Sequence, residues 1–174
     1  MNRFVRACGA AAVALTLNAS AAYADPSSDI GKAPVQQTLT QLVEAKAGSD
    51  TPDAEQECLA RAVYFEARGE SLEGQLAVAD VVLNRVASER YPDTICEVVV
   101  QRAQFSFIRR GKFPSVDRST KAWHKAVAIA DIARRDVADQ VSDAVLWYHA
   151  DYVAPVWRHA LNRETQIGAH IFYS

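Results

Sequence analysis

The chain is poor in sulfur and in concentrated charge. Its 174 residues include three cysteines and one methionine, and the formal net charge is −2. Three cysteines are too few for a small scaffold held together by disulfides. No Cys-x-x-Cys pair and no His-Glu-x-x-His run occurs, and the four histidines (His124, His149, His159 and His170) are scattered. Metal-site spacing is therefore absent, and no metal or cofactor is expected. A Gly-x-Ser-x-Gly elbow and a phosphate-binding glycine loop are also missing. There is no internal repeat, and no nucleic-acid partner is expected. The apolar run from 7 to 17 is too short and alanine-rich for a comfortable membrane span.

What is present begins with an export signature. Arg3 and Arg6 precede the apolar run, and Ala22-Tyr23-Ala24 forms a small-x-small site before Asp25-Pro26. Residues 1–24 thus read as a secretory signal peptide, with an uncleaved anchor as the alternative. Removal takes away two arginines, no acids and Cys8. The product is expected in the periplasm or at the cell wall, without a stable membrane span. In an oxidising compartment the remaining pair, Cys58 and Cys96, is most simply a disulfide, two buried thiols being the other reading.

Residues 25–50 carry Pro, Ser, Gly, Gln and Thr and read as a linker, with a weak helix over 35–47. The domain is expected over 51–174. Thr51-Pro52 offers an N-cap for a first helix reaching Arg68. Ser71 opens a second, with Leu72, Leu76, Ala79, Leu83 and Val86 on one face. Thr94 and Glu97 predict a capping box ahead of a short third helix over 95–101. Residues 104–114 read as a loop, and a fourth helix begins at Ser119. The segments 144–150 and 169–173 are β-branched and aromatic and predict strands. Helices first and a small sheet last indicate an α+β domain, mostly helical, with a cleft between the parts.

The stretch 62–70, AVYFEARGE, organises the rest. Leu59, Val63 and Glu66 share one helical face, which puts an acid on the stripe a helix buries. Gly69 offers a left-handed helix stop. Burial and the negative end of the helix dipole both disfavour the carboxylate and raise its pKa, as a general acid requires. A structural ion pair with Arg61, Arg68 or Arg85 is the alternative.

Amides, hydroxyls and aromatic rings are dense elsewhere, at Asn84, Gln104, Phe105, Ser106, Trp147, Tyr148, Tyr152 and Trp157. Such a lining suits a sugar polymer, although Trp147 and Phe105 also fit a core. Residues 101–125 hold seven basic residues and one acid in a chain that is acidic overall. This is either a basic cleft rim facing an anionic polymer or a solvated basic face.

The runs ECLARAVYFEARGESLEGQLAVADVVLNRV, YPDTICEVV, QFSF, WYHADYVAPVW and IGAHIFY, in this order, resemble the SleB-type cell wall hydrolase family. The likeness covers residues 57–173. It implies a lysozyme-like catalytic domain acting on peptidoglycan glycan strands, with the motif acid Glu66 as the catalytic residue. Members with an assigned activity are described as lytic transglycosylases. A cysteine pair that often brackets QFSF in the non-sporulating branch is replaced here by Ala103 and by Ile108 or a neighbour.

On that resemblance the expected reaction is cleavage between N-acetylmuramic acid and N-acetylglucosamine, with a 1,6-anhydro end as product. Gln75, Asn84, Gln104, Ser106 and Tyr148 are expected to position sugar, with His149 and His170 as weaker candidates. A hydrolytic muramidase would need a second carboxylate, for which Glu70, Glu73 and Asp80 are near in sequence. An N-acetylmuramoyl-L-alanine amidase and a non-catalytic peptidoglycan-binding module are the remaining alternatives.

Overall fold

The computed structural model describes residues 37–48, 51–102 and 104–174. The expected signal peptide, the first part of the linker and Ala103 lie outside the described residues.

Five helices are followed by a three-stranded sheet: α1 Leu39–Lys46, α2 Ala54–Ala67, α3 Leu72–Ala87, α4 Ile95–Val100, α5 Lys121–Arg134, β1 Trp147–Ala150, β2 Arg163–Ile167 and β3 His170–Tyr173. A 3-10 turn, Val156–Ala160, joins β1 to β2. This is the expected α+β architecture.

Helix starts follow side-chain caps. Asp53, not Thr51, caps α2 by accepting from the Gln56 amide at 2.7 Å. Its shorter reach to the third amide suits an acid at this position. Ser71 caps α3 as the sequence suggests. Thr94 caps α4, whose first amides at Ile95 and Cys96 also donate to Glu55 of α2 at 2.7 and 3.3 Å. Thr120 caps α5, one residue beyond Ser119. Helix α2 does not end on a left-handed glycine. Arg68 stays right-handed and the Glu70 amide bonds the Ala67 carbonyl at 2.9 Å, so the last turn tightens instead.

Helix α1 falls inside the segment read as linker. It is short, but its Val43 is buried in the main core against the other helices. That core is built from Leu59 and Val63 of α2, Leu76 and Val82 of α3, Val98 of α4 and Ile129 of α5. Each such side chain contributes roughly 1.5–3 kcal/mol on burial. Helix α3 is buried continuously from Gly74 to Val82, because its second face packs on the sheet through Ala77, Val81 and Phe172. A helix apolar on two sides is a central one.

The sheet order is β1-β3-β2, antiparallel throughout. Tyr148 pairs with Phe172 and Ala150 with His170, and the Phe172 face packs on α3. On the opposite face His149 and Tyr173 stack beneath Trp157. Strand β2 escapes the sequence pattern because it is a mostly exposed edge strand, with only Thr165 and Ile167 partly covered. Cys58 and Cys96 form a disulfide that ties α2 to α4.

Candidate active site

Glu66 stands on the last turn of α2, on the face that buries Val63 and Leu59 one and two turns earlier. The carboxylate is half-buried, and burial pushes its pKa up. Two groups act in the other direction. The Tyr148 hydroxyl, brought in by β1, donates to Glu66 Oε2 over a long 3.4 Å, and the positive charge of Arg85 on α3 favours the ionised form. Burial is the largest of the three, so the carboxyl holds its proton more tightly than usual.

Arg85 was one of three candidate ion-pair partners, and none makes a salt bridge to Glu66. Arg61 pairs with Glu57 at 2.7 Å and Arg68 lies over the Tyr64 ring. Arg85 is itself buried, donating from Nε to the Leu146 carbonyl at 2.9 Å beneath the rings of Tyr91 and Phe105. It supplies positive potential without neutralising the acid directly. Burial and the adjacent Glu66 carboxylate push the Tyr148 phenol well above its ordinary value, so it stays protonated and remains a donor.

The next acid in the motif does different work. Glu70 Oε2 accepts from the Ala169 amide at 3.0 Å, in the turn between β2 and β3. Asp80, one of the other two nearby acids, faces away from Glu66 towards the loop before β1 and accepts from the Gln140 amide at 2.7 Å. Burial is the main cause that pushes Asp80 up to about 7, helped by the neighbouring Asp139 and Asp136. Glu73 is exposed in the first turn of α3. The arrangement is one proton-holding acid in the site, a phenol in contact with it and a buried cation behind both.

Residues 69–173 match the cell wall hydrolase family. The chain belongs to that family. The match begins three residues after Glu66, so the acid lies just outside it. The chain is 34% identical over 120 residues to the spore cortex-lytic enzyme of Oceanobacillus iheyensis, covering 66% of this chain and 39% of that one. It is 31% identical over 120 residues to the spore cortex-lytic enzyme of Bacillus subtilis, covering 66% and 35%. The chain therefore spans less than two fifths of the length of these curated relatives. Among solved structures, the catalytic domain of the germination-specific lytic transglycosylase SleB from Bacillus anthracis superposes with a TM-score of 0.58 at 31% identity, covering 72% of this chain and 98% of that one. The catalytic domain of the Bacillus cereus SleB protein gives 0.56 at 30% identity, covering 74% and 96%.

The fold does not gather all the residues expected at the site. Tyr148 is brought to Glu66, although its hydroxyl contacts the acid itself. Gln75 is fully buried and donates to the Glu70 carbonyl at 3.0 Å, which leaves no surface for a sugar. Asn84 is half-buried and donates to the Ser142 and Val145 carbonyls at 2.9 and 3.0 Å, holding the loop before β1. The NH2 groups of both amides are therefore engaged by backbone, while Gln75 Oε1 is buried without a hydrogen-bond partner. Gln104 and Ser106 are exposed, because the alternate residues Phe105 and Phe107 turn inward. Phe107 stacks on Phe65, the neighbour of Glu66, with ring centroids 4.9 Å apart.

His149 is a satisfied structural histidine. Its Nδ1 faces the Ala150 carbonyl at 2.8 Å and must donate, so Nε2 accepts from the Tyr173 hydroxyl at 2.9 Å. His170 is buried edge-on against Tyr148, burial lowers its pKa, and its Nδ1 has no hydrogen-bond partner. The contact between Glu70 and the β2–β3 turn was not legible in the sequence. Its one signal is Gly168 just ahead of the short apolar run 171–173, a residue type that suits a two-residue hairpin turn.

Proposed function

We propose that this chain cleaves peptidoglycan glycan strands between N-acetylmuramic acid and N-acetylglucosamine as a lytic transglycosylase, with Glu66 as the single catalytic acid and base. The observation that carries the reading is how the state of Glu66 differs from that of the three carboxyls that follow it along the chain. Glu66 is half-buried with raised proton affinity, whereas Glu70 and Asp80 are each tied to a backbone amide and Glu73 is exposed. A hydrolytic mechanism asks for a second free carboxylate to activate water. An intramolecular one does not.

In the first step Glu66 gives its proton to the glycosidic oxygen, and the bond from that oxygen to the muramic C1 breaks. Positive charge develops at C1 and the ring oxygen, beside the newly formed carboxylate. In the second step the C6 hydroxyl oxygen of the same sugar bonds to C1, and its proton passes to Glu66. The acid is regenerated and no water is consumed. Tyr148 steadies the ionised stage by donating to Oε2, and Arg85 supports it electrostatically. The solved SleB catalytic domains, which cover nearly their whole length on this chain, support the same reading. Export by the 1–24 signal, a catalytic domain over 51–174 and a periplasmic or cell-wall location belong to this proposal. So does a sugar-facing role for the exposed Gln104 and Ser106.

Digestion of purified peptidoglycan, read by mass spectrometry beside Glu66→Gln, tests it. Products ending in 1,6-anhydro-muramic acid that fall by about a thousandfold in the variant are expected. Reducing muramic ends would replace the reading with a muramidase, and free stem peptides would replace it with an amidase.

A further inference from the structure

The loop between α4 and α5 carries a feature that catalysis at Glu66 does not use. Arg109 and Lys112 pair as a two-residue hairpin, with reciprocal backbone bonds of 3.2 and 3.1 Å. The tip is Arg110-Gly111, and both residues sit in the left-handed region at φ 55 and 70°. Glycine accepts this freely, but arginine does so at a cost of roughly 1 kcal/mol. The strained turn is what lines up Arg109, Arg110 and Lys112, all exposed, on one projecting tip. Among the described residues no carboxylate forms a salt bridge with any of the three.

Beneath this tip is a cavity of about 380 Å³ lined by Phe107, Arg109, Lys112, Phe113 and Pro114. Its floor is two stacked phenyl rings 6.3 Å apart, and Arg61 of α2 braces Phe113 from behind at 5.2 Å. Phe107 in turn stacks on Phe65, so the cavity adjoins the turn of α2 that presents Glu66. The combination is an apolar floor with two unpaired cations at its rim, in a chain whose overall charge is negative. Such a pocket takes a ligand that is part aliphatic and ends in carboxylates.

We infer that this basic hairpin and its Phe107–Phe113 floor form a subsite for the carboxylate-bearing stem peptide carried by the muramic residue. The inference rests on the peptidoglycan reading above and names the part of that substrate the Glu66 site leaves unheld. Peptide-bearing strands are thereby retained over bare glycan. Because the cations are solvent-exposed, the preference weakens as salt rises through the range where the Debye length shrinks below about 10 Å.

Two measurements test it, one of them independent of catalysis. The first titrates the free tetrapeptide L-Ala-D-Glu-diaminopimelate-D-Ala into the Glu66→Gln chain by NMR. Shifts confined to residues 105–114 are expected, and no shift there overturns the inference whether or not the wild type cleaves glycan. The second compares KM on peptidoglycan and on the same strands stripped of peptide by an amidase. Wild type is expected to favour the peptide-bearing strands by at least about fivefold. The double substitution Arg109→Ser with Lys112→Ser is expected to erase that preference with kcat and melting temperature unchanged. Equal losses on both substrates overturn the subsite, as does tip binding to anionic phospholipid vesicles without any response to the peptide. Absence of cleavage by wild type on either substrate refutes the reaction while the titration still judges the subsite.

Discussion

Glu70 and Ala169, ninety-nine residues apart, are joined by a 3.0 Å hydrogen bond from the Ala169 amide to the Glu70 carboxylate. This bond fastens the helical corner after Glu66 to the turn before β3. It also bears on Gly168, which lies at φ 57° and where an added Cβ would push Glu70 Oε2 off the Ala169 amide. Gly168→Ala is therefore expected to destabilise the fold by about 1–3 kcal/mol, from backbone strain and the displaced Glu70 hydrogen bond together. Adding Glu70→Ala should recover part of that loss, so the double variant is more stable than the sum of the singles predicts. Urea denaturation of the four chains in the cycle decides it, and simple additivity would refute the contact.

Tyr148 gives a signed prediction about pH. Its hydroxyl stabilises ionised Glu66, so removing it raises the proton affinity of the acid further. In Tyr148→Phe the alkaline limb of the rate profile, where the general acid loses its proton, should move to higher pH. The rate at the optimum should fall by roughly tenfold, because the carboxylate formed in the first step loses a donor. A profile that shifts to lower pH would contradict the assignment.

Asp80 gives the opposite kind of test, on stability. Its folded pKa is raised from 3.8 to about 7, so the folded chain binds this proton more tightly than the unfolded one. Stability from this group is complete below about pH 4 and is lost as pH climbs towards 7. The melting temperature of wild type should decline over that interval, and Asp80→Asn should flatten the decline. The slope difference between the two chains, followed by circular dichroism, checks it.

The Cys58–Cys96 bridge closes a loop with a sequence separation of 38. In the chain-entropy account a loop of that size contributes roughly 3–4 kcal/mol. Cys58→Ala with Cys96→Ala should lower the unfolding free energy by about that amount, and reductant should lower the melting point of wild type but not of the variant.

Several features were readable because they depend only on neighbours along the chain. The burial of Leu59, Val63 and Glu66 on one face follows from helical spacing, and α3 and its Ser71 cap follow from periodicity and cap chemistry. The Cys58–Cys96 pair follows from cysteine scarcity in a chain whose start reads as an export signal. The site was less legible, because an amide or carboxylate has no preferred partner until the chain folds. Gln75 and Asn84 were expected to face sugar and instead hold the backbone of Glu70, Ser142 and Val145. Strand β2 was missed because an edge strand with exposed polar residues has almost no apolar alternation to betray it.

The sequence by itself determined the helices, the acid on a buried stripe and the disulfide pair, since each rests on local spacing or on composition. Tertiary structure alone decided what surrounds each of these acids. Packing desolvates Glu66 and brings the Tyr148 hydroxyl to it, whereas the β2–β3 turn occupies Glu70 and the 140 loop occupies Asp80. Proton affinity depends on what surrounds a carboxylate in space, and those surroundings come from residues as many as ninety-nine positions away.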